Sequence, residues 1–197
     1  MLTNIKIFSS FWVLLACYLF IPIVVESVDP PEWFYFIDKY IQFQWLMIIP
    51  YYLYYIVVVA PPFIWKDEWD IRNITSTLNI ITIVCYLFFI IWPISAIHVL
   101  DKVPTRDYPL KLMHDMITYD YLYQNAFPSM HVAVSSFLCL AYYNDFKSFK
   151  LIALFVGCFI FFATFLTKQH YFFDSLVGLF IAFLGYYYYK SRMNVNK

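Results

Sequence analysis

Long uncharged stretches dominate this chain, and its charges fall between them rather than inside them. Runs of about 17 to 25 such residues mark bilayer-spanning helices, because hydrocarbon offers backbone N–H and C=O groups no partner outside their own segment. The pattern predicts six spans, over residues 7–25, 45–65, 78–100, 126–144, 151–167 and 171–189, the last interrupted only by Asp174. The expected fold is all-α: an integral membrane bundle of six transmembrane helices, with residues 1–197 forming a single transmembrane domain. No internal repeat and no low-complexity linker points to a second one.

The polar positions orient this bundle. Trp33, Trp45, Trp65 and Trp69 fall near span ends, where an amphipathic ring gains by sitting at headgroup level. Six spans put both termini on one side, together with the loops at 66–75 and 145–150. That side holds Lys6, Lys66, Arg72, Lys147, Lys150, Lys190, Arg192 and Lys197, whereas the other holds Lys39, Lys102, Arg106, Lys111 and Lys168. The positive-inside rule then predicts cytoplasmic termini. The sequon Asn73-Ile74-Thr75 falls on the cytoplasmic side and is expected to be unused. Only Lys6 precedes the first apolar run and no small-x-small cleavage site follows it before Glu26, so a retained helix is expected rather than a signal peptide.

Composition supports the membrane reading. Hydrophobic residues make up 63% of the chain, aromatics 24% and charged residues 13%, about half the charged share of a soluble domain. With a mean hydropathy of +0.66, so much apolar surface cannot be hidden in one water-facing globule of this size. Net charge is zero, which leaves no basic field for nucleic acid, and the apolar content excludes disorder. Cys17, Cys85, Cys139 and Cys158 lie inside apolar runs without zinc-site spacing and read as buried thiols. Ala153 with Gly157, and Gly178 with Gly185, suit close helix packing.

Ionisable groups at membrane depth are costly, so His131, His170 and Asp174 are candidates for chemistry. His170 and Asp174 are four residues apart and share a helix face, which lets the carboxylate hold one imidazole nitrogen and leaves the other as a lone pair. If spans four and five form an antiparallel hairpin, His131 returns to the same membrane surface. His98 and His114 read as interfacial residues. Before His131, Pro128 suits a helix's first turn and places Ser129 and backbone N–H groups near its electropositive end, a natural phosphate site.

At these residues the chain resembles the type 2 phosphatidic acid phosphatase and vanadium haloperoxidase superfamily. Pro128-Ser129-Met130-His131 looks like the second family motif, Pro-Ser-x-His, and His170 to Asp174 like the His-x-x-x-Asp end of the third. The wording Asn125-Ala126-Phe127-Pro128-Ser129-Met130-His131 with Thr167-Lys168-Gln169-His170-Tyr171 is similar to the branch that includes inositol phosphorylceramide synthases. The resemblance covers roughly residues 93–185. It departs from the family pattern where the third motif opens with Ser-Arg, since those places hold Ala163 and Thr164, and the Lys-x6-Arg-Pro first motif is not present as written. Arg106 and Lys102 are the cations after span three, and Lys168 is the one beside the third motif; the planar fork of Arg106 suits two phosphate oxygens at once.

The resemblance implies a membrane-embedded lipid phosphate phosphohydrolase that needs no metal and no cofactor. His170 attacks phosphorus to form a phosphohistidine, Asp174 holds its ring, and His131 protonates the leaving oxygen and then activates water. Arg106, Ser129, Lys168 and Lys102 are the expected phosphate ligands. The expected partners are a lipid phosphate and membrane lipids, with no nucleic acid, and the oligomeric state is open. The site is expected on the extracytoplasmic face, opposite the basic-rich side. One alternative is a lipid phosphotransferase of the inositol phosphorylceramide synthase type, in which an alcohol replaces water. A second is a non-catalytic membrane protein whose histidines only bridge helices.

Overall fold

The computed structural model describes residues 1–118 and 125–195, and among them every regular element is helical. The first helix, α1 (Leu2–Ala16), continues through a 3-10 turn into Ile21–Val24, so that Leu2–Val24 forms one rod. An irregular segment of short 3-10 turns leads to α2 (Ile48–Val59), after which Pro61 and Pro62 start a separate turn, Pro61–Ile64. Proline has no N–H to continue the ladder but suits a helix's first position, so the expected 45–65 span is divided there.

The third helix, α3 (Glu68–Ile91), runs about ten residues out of register with the expected 78–100 span. Hydropathy marked the uncharged run, but the helix starts where Asp67 caps it by accepting from Trp69 N at 2.7 Å, and it stops before Pro93. Asn73 of the sequon is therefore inside α3, 1% exposed, with its amide against Met193 Sδ. A short helix, α4 (Lys111–Ile117), precedes α5 (Met130–Asp145), α6 (Lys150–Leu166) and α7 (Phe172–Val195).

Leu2–Val24, Glu68–Ile91, Lys147–Leu166 and Phe172–Met193 are long and apolar enough to cross a membrane, while Trp45–Val59 is a shorter apolar helix. The 16-residue α5 is enclosed: it packs against α7, α6, α2 and α3 and is buried nearly all round from Met130 to Tyr142. A helix enclosed by neighbours need not match the bilayer's thickness on its own. Outward-facing Val13, Phe20, Ile56, Ile91, Leu151, Phe155, Phe180 and Phe183 are exposed, as a lipid-facing surface requires. Cys17 and Cys158 belong to that outer surface, so only Cys85 and Cys139 are buried thiols. The expectation of four buried cysteines fails because an apolar run does not tell a lipid-facing position from a core one.

Glycine sets the closest helix approach. A Cβ on Gly178 of α7 would collide with the carbonyl oxygen of Ser129 and lie 3.2 Å from Val132 Cβ, so the start of α5 rests directly on α7. The contact is tied by Ser129 N donating to the Asp174 carbonyl oxygen at 3.1 Å. Around this end Phe34 packs edge-on to Phe127, Tyr171 and Phe173 at centroid distances of 5.4, 5.3 and 5.1 Å, and Tyr171 Oη donates to Ser95 O at 2.8 Å. The two motif segments are thus fixed to each other and to the 26–47 segment. At the other end of α5, Asp145 accepts from Trp65 Nε1 at 3.0 Å and from Tyr189 Oη at 2.6 Å.

Candidate active site

Ser129 is the N-cap of α5, its hydroxyl accepting from Val132 N at 3.4 Å, which puts His131 in the helix's first turn. Pro128 therefore precedes the cap rather than entering the first turn. His170 is positioned by the turn after α6, where Lys168 takes a left-handed conformation (φ 61°). Lys168 N donates to Phe165 O and Gln169 N to Thr164 O, the paired bonds of a Schellman closure, with lysine where glycine is usual. Four residues beyond His170, Asp174 lies in the first turn of α7, fully buried.

These elements bring the three residues together. His131 Nδ1 lies 3.3 Å from His170 Nε2, and His170 Nδ1 lies 2.9 Å from the Ala126 carbonyl oxygen and 3.5 Å from Asp174 Oδ2. A carbonyl oxygen only accepts, so Nδ1 carries the proton, and the Nε2 of a neutral His170 ring holds the lone pair. Asp174 Oδ2 also accepts from Tyr171 N at 2.8 Å. Both imidazoles line a cavity of about 370 Å³ whose walls include Trp12, Leu15 and Leu19 of the first rod and Tyr51, Tyr54 and Tyr55 of α2. Among the described residues no group of three or more His, Cys, Asp or Glu side chains is placed to hold a metal ion.

The four expected phosphate ligands are elsewhere. Ser129 is buried as a cap, and Arg106 is exposed on its loop with no hydrogen bond or ion pair to a described residue. Lys102 Nζ donates to Asp38 O at 2.8 Å, and Lys168 Nζ, wholly buried, donates to Ile41 O at 2.7 Å. None of the four lines the cavity. Burial pulls the Lys168 ammonium down to about 8, opposed by the field of Asp38, whose own carboxyl burial pushes up. Asp38 is 1% exposed and caps the final helix, its Oδ1 accepting from Phe172 N at 3.0 Å. Lys168 ties the 26–47 segment to the turn before His170, and Lys102 ties it to the loop after Ile97–Leu100.

Lys168→Met should therefore lower the melting temperature, since it strips the buried Asp38 of an opposing charge, while inorganic phosphate inhibits within about threefold of wild type. A charge-assisted bond to phosphate, by contrast, would be worth about 1.5–3 kcal/mol, and its loss would weaken inhibition by about tenfold or more. Inhibition constants set beside thermal unfolding curves decide between the two.

Asn125, Gln169 and Tyr51 also line the cavity, none of them among the site residues expected from the sequence, and His114 is placed differently from the expectation. That residue is 2% exposed, not interfacial, with Nε2 2.9 Å from Thr167 O and Nδ1 2.7 Å from Tyr108 Oη. It braces the turn carrying His170, and burial pulls its imidazole pKa below the usual value. His98, stacked on Tyr35, is half-exposed.

The family model described as the PAP2 superfamily matches residues 26–188, most of the chain and all of the motif-bearing part. The chain belongs to the PAP2 superfamily. No curated protein and no solved structure matches it. As a PAP2 superfamily member with four membrane-length apolar helices, it is an integral membrane protein with a phosphatase- or phosphotransferase-type activity.

Proposed function

We propose that the protein is a lipid phosphate phosphohydrolase, working through a phosphohistidine at the extracytoplasmic face of a six-span bundle. The observation that carries this reading is the lone-pair nitrogen of His170, 3.3 Å from His131 Nδ1 at a cavity walled by apolar side chains of the first rod and α2. A lipid tail can stay among Trp12, Leu15, Leu19 and the α2 tyrosines while its phosphate meets the histidines. To reach His170 Nε2, phosphorus takes the place of the bond between the two rings. The N–P bond forms, the bond from phosphorus to the lipid oxygen breaks, and His131 in its protonated form gives its Nδ1 proton to that oxygen. Water then attacks phosphorus, passes a proton to His131 Nδ1, and the N–P bond breaks to release phosphate.

One observation favours a second reading, transfer to an alcohol in place of water. Among the described residues lining the cavity there is no Lys or Arg. A phosphate monoester carries about −1.5 to −2 at pH 7, whereas a diester carries a single charge and needs less neutralisation. Purified full-length protein should release phosphate from at least one of phosphatidate, a prenyl pyrophosphate and phosphatidylglycerol phosphate, and orthovanadate should inhibit it. Transfer from a phosphodiester lipid to an added alcohol such as inositol, without free phosphate, would select the second reading. If none of these lipids yields either free phosphate or a transfer product, the proposal is overturned.

A further inference from the structure

We infer that Tyr51 is a positioning residue for His131, holding its ring so that Nδ1 is the nitrogen that exchanges protons with the substrate. The inference rests on the acid–base role given to His131 above. Tyr51 is in the first turn of α2, 2% exposed, and its Oη lies 2.9 Å from His131 Nε2. Tyr54, one turn further on, lays its ring against the same imidazole at a centroid distance of 4.4 Å. His131 is thus gripped from α2 on the side away from His170, with its Nδ1 turned toward the nucleophile.

The hydrogen-bond chain shows why a hydroxyl is suited to this place. From Tyr51 it passes to His131 Nε2, across that ring to Nδ1, then to His170 Nε2, and from His170 Nδ1 to Ala126 O. The last link fixes a proton on His170 Nδ1, because the carbonyl can only accept. Two proton arrangements satisfy the rest. With both rings neutral, Tyr51 donates to Nε2 of His131, whose Nδ1–H donates to the lone pair of His170. With one more proton in the pair, His131 carries Nε2–H, and Tyr51 accepts it.

Catalysis uses both directions. Before the lipid oxygen leaves, His131 is protonated on both nitrogens, and its Nε2–H donates to Tyr51 Oη while Nδ1–H faces the leaving group. Once Nδ1 has given up that proton, the ring remains as the Nε2–H tautomer held by Tyr51. Its Nδ1 lone pair is then ready to take a proton from water. A group that could only donate would oppose this tautomer, and one that could only accept would not hold the neutral pair. The phenol does both through rotation of its hydroxyl.

Tyr51→Phe removes the hydroxyl and keeps the ring, so packing against the core is retained. The test follows leaving-group release in single turnovers for wild type, Tyr51→Phe and His131→Ala. It uses full-length protein with one alkyl phosphate ester and p-nitrophenyl phosphate, whose leaving group scarcely needs a proton. Tyr51→Phe should slow alkyl release by about 10- to 100-fold, a part of the 10²- to 10⁴-fold that a positioned acid commonly contributes. Nitrophenol release and orthovanadate inhibition should stay within about threefold of wild type. Equal slowing of both esters, or of neither, overturns the positioning role. If His131→Ala shows leaving-group dependence and Tyr51→Phe does not, this inference alone falls. If His131→Ala shows none, the acid role falls and takes the inference with it.

Discussion

Replacing His170 with alanine is expected to abolish turnover, because it removes the one nitrogen whose lone pair is fixed toward the cavity by a bond on the opposite side of its ring. In covalent mechanisms, loss of the nucleophile commonly costs about 10⁶-fold. Alanine also leaves the Ala126 carbonyl without its donor in a buried place, so a fold defect needs a control. His170→Gln supplies it: the amide N–H can still reach that carbonyl, but an amide cannot attack phosphorus. Both variants should be inactive, and the glutamine variant should unfold within a few degrees of wild type. Near-normal turnover in either, with loss of turnover in His98→Ala or His114→Ala, would show that the nucleophile is misassigned.

The second large effect is expected from Asp174→Asn. A triad carboxylate that alone selects its histidine's tautomer is worth about 10⁴-fold. Here the Ala126 carbonyl, 2.9 Å from His170 Nδ1, already selects the tautomer, and Asp174 Oδ2 stands farther off at 3.5 Å. The carboxylate's remaining part is electrostatic, opposing the positive charge that grows on His170 as the N–P bond forms. A loss of about 10²- to 10³-fold in kcat is therefore expected, the usual value of one preorganised charge-stabilising group. KM should change little, since Asp174 is fully buried and does not line the cavity. Steady-state kinetics on the variant check both numbers, and a loss confined to KM would contradict the assignment.

What the sequence disclosed and what it did not follow one physical divide. His131, His170 and Asp174 were legible because their spacing is local and their polarity stands out against apolar runs. The meeting of His131 with His170 needed only a helical hairpin to bring two loop ends together. The register of α3 was not legible: a hydropathy pattern counts uncharged residues, whereas the helix begins with Asp67 capping a polar turn of Glu68, Trp69 and Asp70. Nor were the partners of Lys102 and Lys168. Those are set by the 26–47 segment folding over the motif turns and presenting carbonyls of Asp38 and Ile41, a tertiary event with no local signature. Tyr51 and Tyr54, three apart, share a helix face on any reading of α2, but periodicity names the face and not the histidine it meets.

A covalent phosphoryl group on His170 can be trapped chemically. Full-length protein is mixed with a turned-over lipid phosphate labelled in its phosphoryl group, quenched in alkali to preserve phosphohistidine, digested and mapped by mass spectrometry. An acid-labile label is expected on His170, absent in His170→Gln and longer-lived in His131→Ala, where water lacks its base. A label on another residue, or rapid turnover in which no phosphoenzyme forms at any time of quenching, would contradict this expectation.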